Sequence, residues 1–150
     1  MPVEKCEECI GIIGVPLDFG AEVGGVGLGP AAMRIANLNR RIAGLGYKVR
    51  DLGDLCLEHP GEPCRSGEKA KHLTEITRAC ETLAAEVRGI LDAGEFPLII
   101  GGDHAIAIGS LSGIAAHHHF KLEPSDIGLI WFDAHADMNT PETTPSGNIH

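Results

Sequence analysis

Aromatic side chains are scarce in this sequence: they make up 4% of its 150 residues, with one Trp and one Tyr. Aliphatic and alanine packing must therefore build any core, and no cluster of base-stacking rings is at hand for a nucleic-acid surface. Positive charge is short as well. Twelve Lys and Arg stand against 21 Asp and Glu, for a net charge of -9, which argues against a phosphate-backbone partner. No apolar stretch reaches the ~18 residues that a membrane-spanning helix needs, so no membrane partner is expected. Met1 to Glu8 carries one lysine and three glutamates, unlike a secretory signal or an Arg-rich transit peptide, and a cytoplasmic location is the default expectation. The five cysteines, Cys6, Cys9, Cys56, Cys64 and Cys80, are odd in number, which disfavours a disulfide framework. A zinc site from Cys6, Cys9, Cys56 and Cys64 fails on the wide spacing of its second pair. They read as free thiols.

What is present suits one globular domain: 43% hydrophobic and 22% charged residues over a length that can bury a moderate core. An apolar run over 10–15, ending in Gly and Pro, predicts a buried strand. A Gly-rich loop at 24–29 follows, with Pro30 at a first helical position. It lacks the GxGxxG spacing of a phosphate loop and reads as a loop over a pocket mouth. Ile35, Leu38, Ile42 and Leu45 then recur at helical spacing until Gly46 stops the helix. Residues 47–52 predict a second strand and residues 58–67 a loop. Leu73, Ile76, Cys80, Leu83, Val87 and Ile90 form one apolar stripe of a long helix closed by Gly94. Residues 96–100 predict a third strand, 105–117 a small-residue helix, and 127–132 a fourth buried strand. Strands alternating with helices, each strand an unbroken apolar run, predict the α/β class: a parallel β-sheet with helices on both faces, a three-layer α/β/α arrangement. In such folds ligands bind at the carboxyl ends of the strands.

Both polar clusters of the chain fall at such ends. Asp133-Ala134-His135-Ala136-Asp137 follows directly on the apolar 130–132. A fully extended chain would hold Asp133 and Asp137 roughly 13 Å apart, so one ion can bind both only if the chain curls back after Asp133. Carboxylates and imidazoles without thiolate suit manganese or iron better than structural zinc. Gly101-Gly102-Asp103-His104 occupies the same place on the preceding strand, so His104 can converge on Asp133. Either cluster alone could be a solvated turn or a helix cap; together they are far more specific.

Three stretches resemble the ureohydrolases: GGDH at 101–104, DAHAD at 133–137, and NTPETTPSGNIH at 139–150, the last similar to the arginases in particular. The pattern IGVPxxxGxxxxGVxxGPxAxR from Ile13 to Arg34 is similar too. The resemblance implies that residues 1–150 are the N-terminal half of a single arginase-like domain, incomplete here, whose second half supplies two further aspartates to the metals. It implies two Mn2+ ions that hydrolyse the guanidinium of L-arginine to L-ornithine and urea, in a full-length protein that is a homo-oligomer. His104 would bind the first ion and His135 the second. Asp133 would bridge both, and Asp137, counted also among the catalytic residues, would return to the first. Asn139 and Ser146, with Asn148 beside them, would hold the substrate α-carboxylate, and His150 would shuttle protons. It further implies the strand order 2-1-3, with the fourth strand set apart.

The pattern departs at Ala105, where the family has Ser, losing a hydroxyl that could support the histidine ligand. Agmatinases and other guanidino-hydrolases are the neighbouring alternative. Ser146-Gly147-Asn148 tells against them, since a decarboxylated substrate needs no carboxylate partner. A non-catalytic, truncated metal-binding protein is the alternative of another class. His117-His118-His119 reads as a solvated cation patch at a helix end, and His59 and His72 are assigned no role.

Overall fold

The computed structural model describes residues 8–20, 24–57, 70–118, 127–135, 137, 140 and 142–148. Its centre is β1 (Cys9–Val15), whose successive side chains point to opposite faces. Ile13 and Val15 enter a core with Leu17, Leu83 and Val87, while Ile12 enters a second one with Ile42 and Ile100. One apolar strand therefore nucleates two cores, which is why its sequence shows no polar alternation.

β2 (Lys48–Asp54) and β3 (Phe96–Gly101) flank it in parallel, in the order β2-β1-β3. Ile10 pairs with Val49 on one side and Phe96 on the other. This is the order that the resemblance implies. α3 (Leu73–Asp92) and α4 (Ile106–His117) cover one face. α3 buries the expected stripe from Ile76 to Ile90, although Leu73 at its start is exposed. α4 lies backbone-close to it: a Cβ on Gly109 would stand 2.7 Å from the Cys80 carbonyl oxygen. α1 (Gly29–Ile35) and α2 (Leu38–Gly44) belong to the other face. Among the described residues no helix is long and apolar enough to cross a membrane.

Two expectations need correction. The single helix expected after Pro30 is broken at Asn37, which has φ 61. Asn tolerates the left-handed region better than most residues, and the break turns α2 so that Leu38 and Ile42 pack on the sheet. Ile35 and Leu45, counted on the same stripe, are left exposed. Second, residues 127–132 form no strand and are not buried: Ile130 is 93% and Phe132 102% exposed. An apolar run becomes a strand only where a neighbour satisfies its backbone groups, and among the described residues none lies beside this one.

Arg34, in the last turn of α1, clamps α1 to β2. Its Nε and Nη2 meet the two oxygens of Asp51 at 2.9 and 2.8 Å, Nη2 also reaches the Gly53 carbonyl, and Nη1 takes Asp54. These hydrogen bonds from Arg34 hold the Asp51 carboxyl well below the usual carboxylate range. A carboxyl depressed in the folded state stabilises the fold above its ordinary value of 3.8 and loses that contribution as the pH falls below it. Arg34→Ala is expected to cost about 1 kcal/mol at neutral pH, the pair being partly exposed. It should also flatten the loss of stability below about pH 4. Urea denaturation from pH 7 to 3 checks both; an unchanged acid limb in the variant would rule out the clamp as its cause.

Candidate metal centre

The carboxyl end of β3 meets the loop that leaves β1, and the contact is backbone on backbone. A Cβ on Gly102 would lie 1.9 Å from the Leu17 carbonyl oxygen, and one on Gly29 would lie 2.3 Å from that of Gly101. Only glycine fits either place. Two hydrogen bonds zip the segments together, Gly102 N to Val15 O at 3.0 Å and Asp103 N to Leu17 O at 2.8 Å. Asp103 is buried, and its carboxylate accepts from the amides of Phe19 and Gly20, each at 2.8 Å, and of Ala105 at 3.0 Å. His104 is thereby held half-buried at the strand end. Ala105 is fully buried, and its carbonyl accepts the Cys80 thiol at 3.4 Å, so this position belongs to the core under α3.

The second cluster curls onto the first. Asp133 Oδ2 lies 3.4 Å from His104 Nδ1, and Asp137 Oδ2 lies 3.4 Å from His104 Nε2. Asp137 has φ 49, in the left-handed region. Ligand atoms of His104, Asp133 and Asp137 all lie within 4.8 Å of one another. Atoms bound to one divalent ion at about 2.0–2.3 Å stand at most about 4.6 Å apart, so a small closure suffices. Two carboxylates balance one divalent charge, and hard oxygen and nitrogen donors suit manganese or iron. The residues fit an ion.

Asp133 faces two histidines at once, since its Oδ1 lies 3.5 Å from His135 Nδ1. The His135 amide donates to the same carboxylate at 2.9 Å and is the chief cause that lowers the Asp133 pKa, with the Ala134 amide adding to it. The His135 ring itself is 82% exposed and outside the three-residue group. Trp131 was not anticipated at the site. Its ring centroid sits 4.9 Å from that of His104, and its Nε1 donates to Asp137 Oδ2 at 3.3 Å.

Comparison with known proteins decides the family. Residues 8–150 match the Arginase family. The chain belongs to it. The arginase of Bacillus subtilis strain 168 is 43% identical over 144 residues, 96% of this chain and 46% of that protein. That of Bacillus caldovelox is 45% identical over 142 residues, 94% and 46% respectively. The solved structure of the Bacillus caldovelox arginase superposes with a TM-score of 0.83 at 44% identity, covering 95% of this chain and 46% of that one. This arginase-family chain thus spans about half the length of the arginases it matches.

Of the other expected site residues only Ser146 and Asn148 are described. Asn139 and His150 fall outside the described residues, as do His59, His119, Cys6 and Cys64. Ser146 and Asn148 sit in a turn pinned to the start of α3, where the Lys71 amide donates to the Gly147 carbonyl at 2.8 Å. Ser146 Oγ accepts from the Asn148 amide at 3.2 Å, and Asn148 is buried. His117, expected to be solvated, instead pairs with Asp92 at 2.7 Å, which ties the ends of α3 and α4. Cys9, Cys56 and Cys80 are free thiols.

Proposed function

We propose that the whole protein hydrolyses the guanidinium of L-arginine to L-ornithine and urea with two Mn2+ ions. In this reading residues 1–150 form the N-terminal half of its one domain. The observation that carries it is the convergence of His104, Asp133 and Asp137 at a strand end in a chain of the Arginase family. His104 and Asp137 would hold the first ion and His135 the second, with Asp133, which has one oxygen toward each histidine, as the ligand shared between them. When bound, the ions supply Lewis-acid polarisation and a water acidified toward neutral pH.

The chain's own groups do the rest. The amides of His135 and Ala134 donate to Asp133 and lower its pKa, favouring the ionised form that a ligand needs. Ser146 Oγ accepts from the Asn148 amide and lies 3.4 Å from Thr144 Oγ1; in this reading its hydroxyl turns from Thr144 to donate to the α-carboxylate, a role shared with Asn139. His150 carries the proton to the departing amine. Oriented donors of this kind penalise a substrate without the carboxylate, because they are then left unpaired.

Efficiency on L-arginine is therefore expected to exceed that on agmatine by at least about 100-fold. Ser146→Ala should cost arginine about tenfold or more, the worth of one hydrogen bond to a charged group, and leave agmatine unchanged. Measuring kcat/KM for both substrates in both proteins tests this. Equal wild-type efficiencies would remove arginine from the reading in favour of another guanidino compound.

A further inference from the structure

Resting on that reading of the site, we propose that Asp103 is a positioning residue that couples occupancy of the His104 site to the loop leaving β1. The residue is 6% exposed, and both carboxylate oxygens are engaged. Oδ1 accepts from Ala105, two residues on, so the side chain brackets the His104 backbone from both sides. Oδ2 accepts from Phe19 and Gly20, more than 80 residues away in sequence. All three partners are amide donors, and that chemistry asks for a carboxylate. Asparagine has the same shape but would turn an NH2 group onto one of the N–H groups, leaving buried donors facing each other.

A buried carboxylate is expensive for a fold that needs only a tether. Here it secures two backbones at once, the turn that aims His104 and residues 17–20. Neither Phe19 nor Gly20 belongs to the ligand group, yet each shares an oxygen with the residue next to His104. Gly20 leads toward the Gly-rich segment, and the Gly25 amide is itself held by Asp18 at 2.7 Å. An ion that fixes His104 should therefore slow the opening of the β1 loop. Loosening the loop should in turn weaken the ion's hold. Groups that orient metal ligands typically alter affinity by about 10–100-fold.

The test uses the full-length protein. Hydrogen exchange by mass spectrometry, with and without saturating Mn2+, reads the amides of Phe19 and Gly20. Mn2+ is expected to slow their exchange at least about tenfold. Titration calorimetry is expected to give a Mn2+ Kd about 10–100-fold weaker in Asp103→Asn, and exchange at 19–20 in that variant should no longer respond to the ion. His104→Ala, which keeps Asp103, should retain slow metal-free exchange at 19–20. Protection by Mn2+ confined to 101–105, or a wild-type Kd in Asp103→Asn, overturns the coupling. Should that variant not fold, the wild-type exchange experiment decides alone. A wild-type protein that binds no Mn2+ overturns the proposed function itself, an outcome distinct from either.

Discussion

Asp133→Ala in the full-length protein is expected to lower kcat/KM for L-arginine by about 10³–10⁴, or roughly 4–6 kcal/mol of barrier. Of the proposed ligands Asp133 alone reaches toward both histidines, at 3.4 Å to His104 and 3.5 Å to His135. Removing it withdraws one negative charge from between two divalent ions and unties the turn its carboxylate makes with the His135 amide. His135→Ala should be milder in metal content, because its ring is exposed and touches only Asp133 among the proposed ligands. Bound manganese, counted by elemental analysis, is thus expected to fall below one per chain in Asp133→Ala and to near one in His135→Ala. Activity within tenfold of wild type for Asp133→Ala would sink the bridging assignment.

Residues 1–150 by themselves are expected to release no urea above a protein-free blank, even in excess Mn2+. Four proposed ligands serve two ions, and two carboxylates leave about two positive charges unbalanced. An arginine guanidinium approaching such a centre is repelled. The exposed apolar run adds a physical hazard. Leu129, Ile130 and Phe132 are largely or wholly exposed, and the outer edge of β3 has no neighbour among the described residues. Unpaired edges beside apolar side chains invite aggregation. The measurement is urea release by the isolated chain, alone and after mixing with the second half of the protein. Turnover by the isolated chain would overturn the ligand count.

What could be read in advance was whatever depends on neighbours in sequence. The strand-end position of GGDH follows from the apolar run that leads into Gly101, and the α3 stripe from its period. The features that escaped depend on distant partners or on single backbone angles. Nothing near Asp103 in sequence announces Phe19 and Gly20, and the left-handed turn at Asn37 divides a helix whose spacing looks continuous. Residues 127–132 have the composition of a buried strand, but composition cannot supply the ladder. Trp131 was read only as part of that strand, although its ring lies against His104.

The central place of β1 has a consequence during synthesis. Ile10 must wait for Phe96, 86 residues later, before its second edge is paired. At about 5–20 residues per second a ribosome needs roughly 4–17 seconds to deliver that partner. β2 arrives after fewer than half as many residues and can protect one side early. For the remaining seconds an apolar strand stands with one edge open, the state in which a nascent chain is most exposed to mispairing.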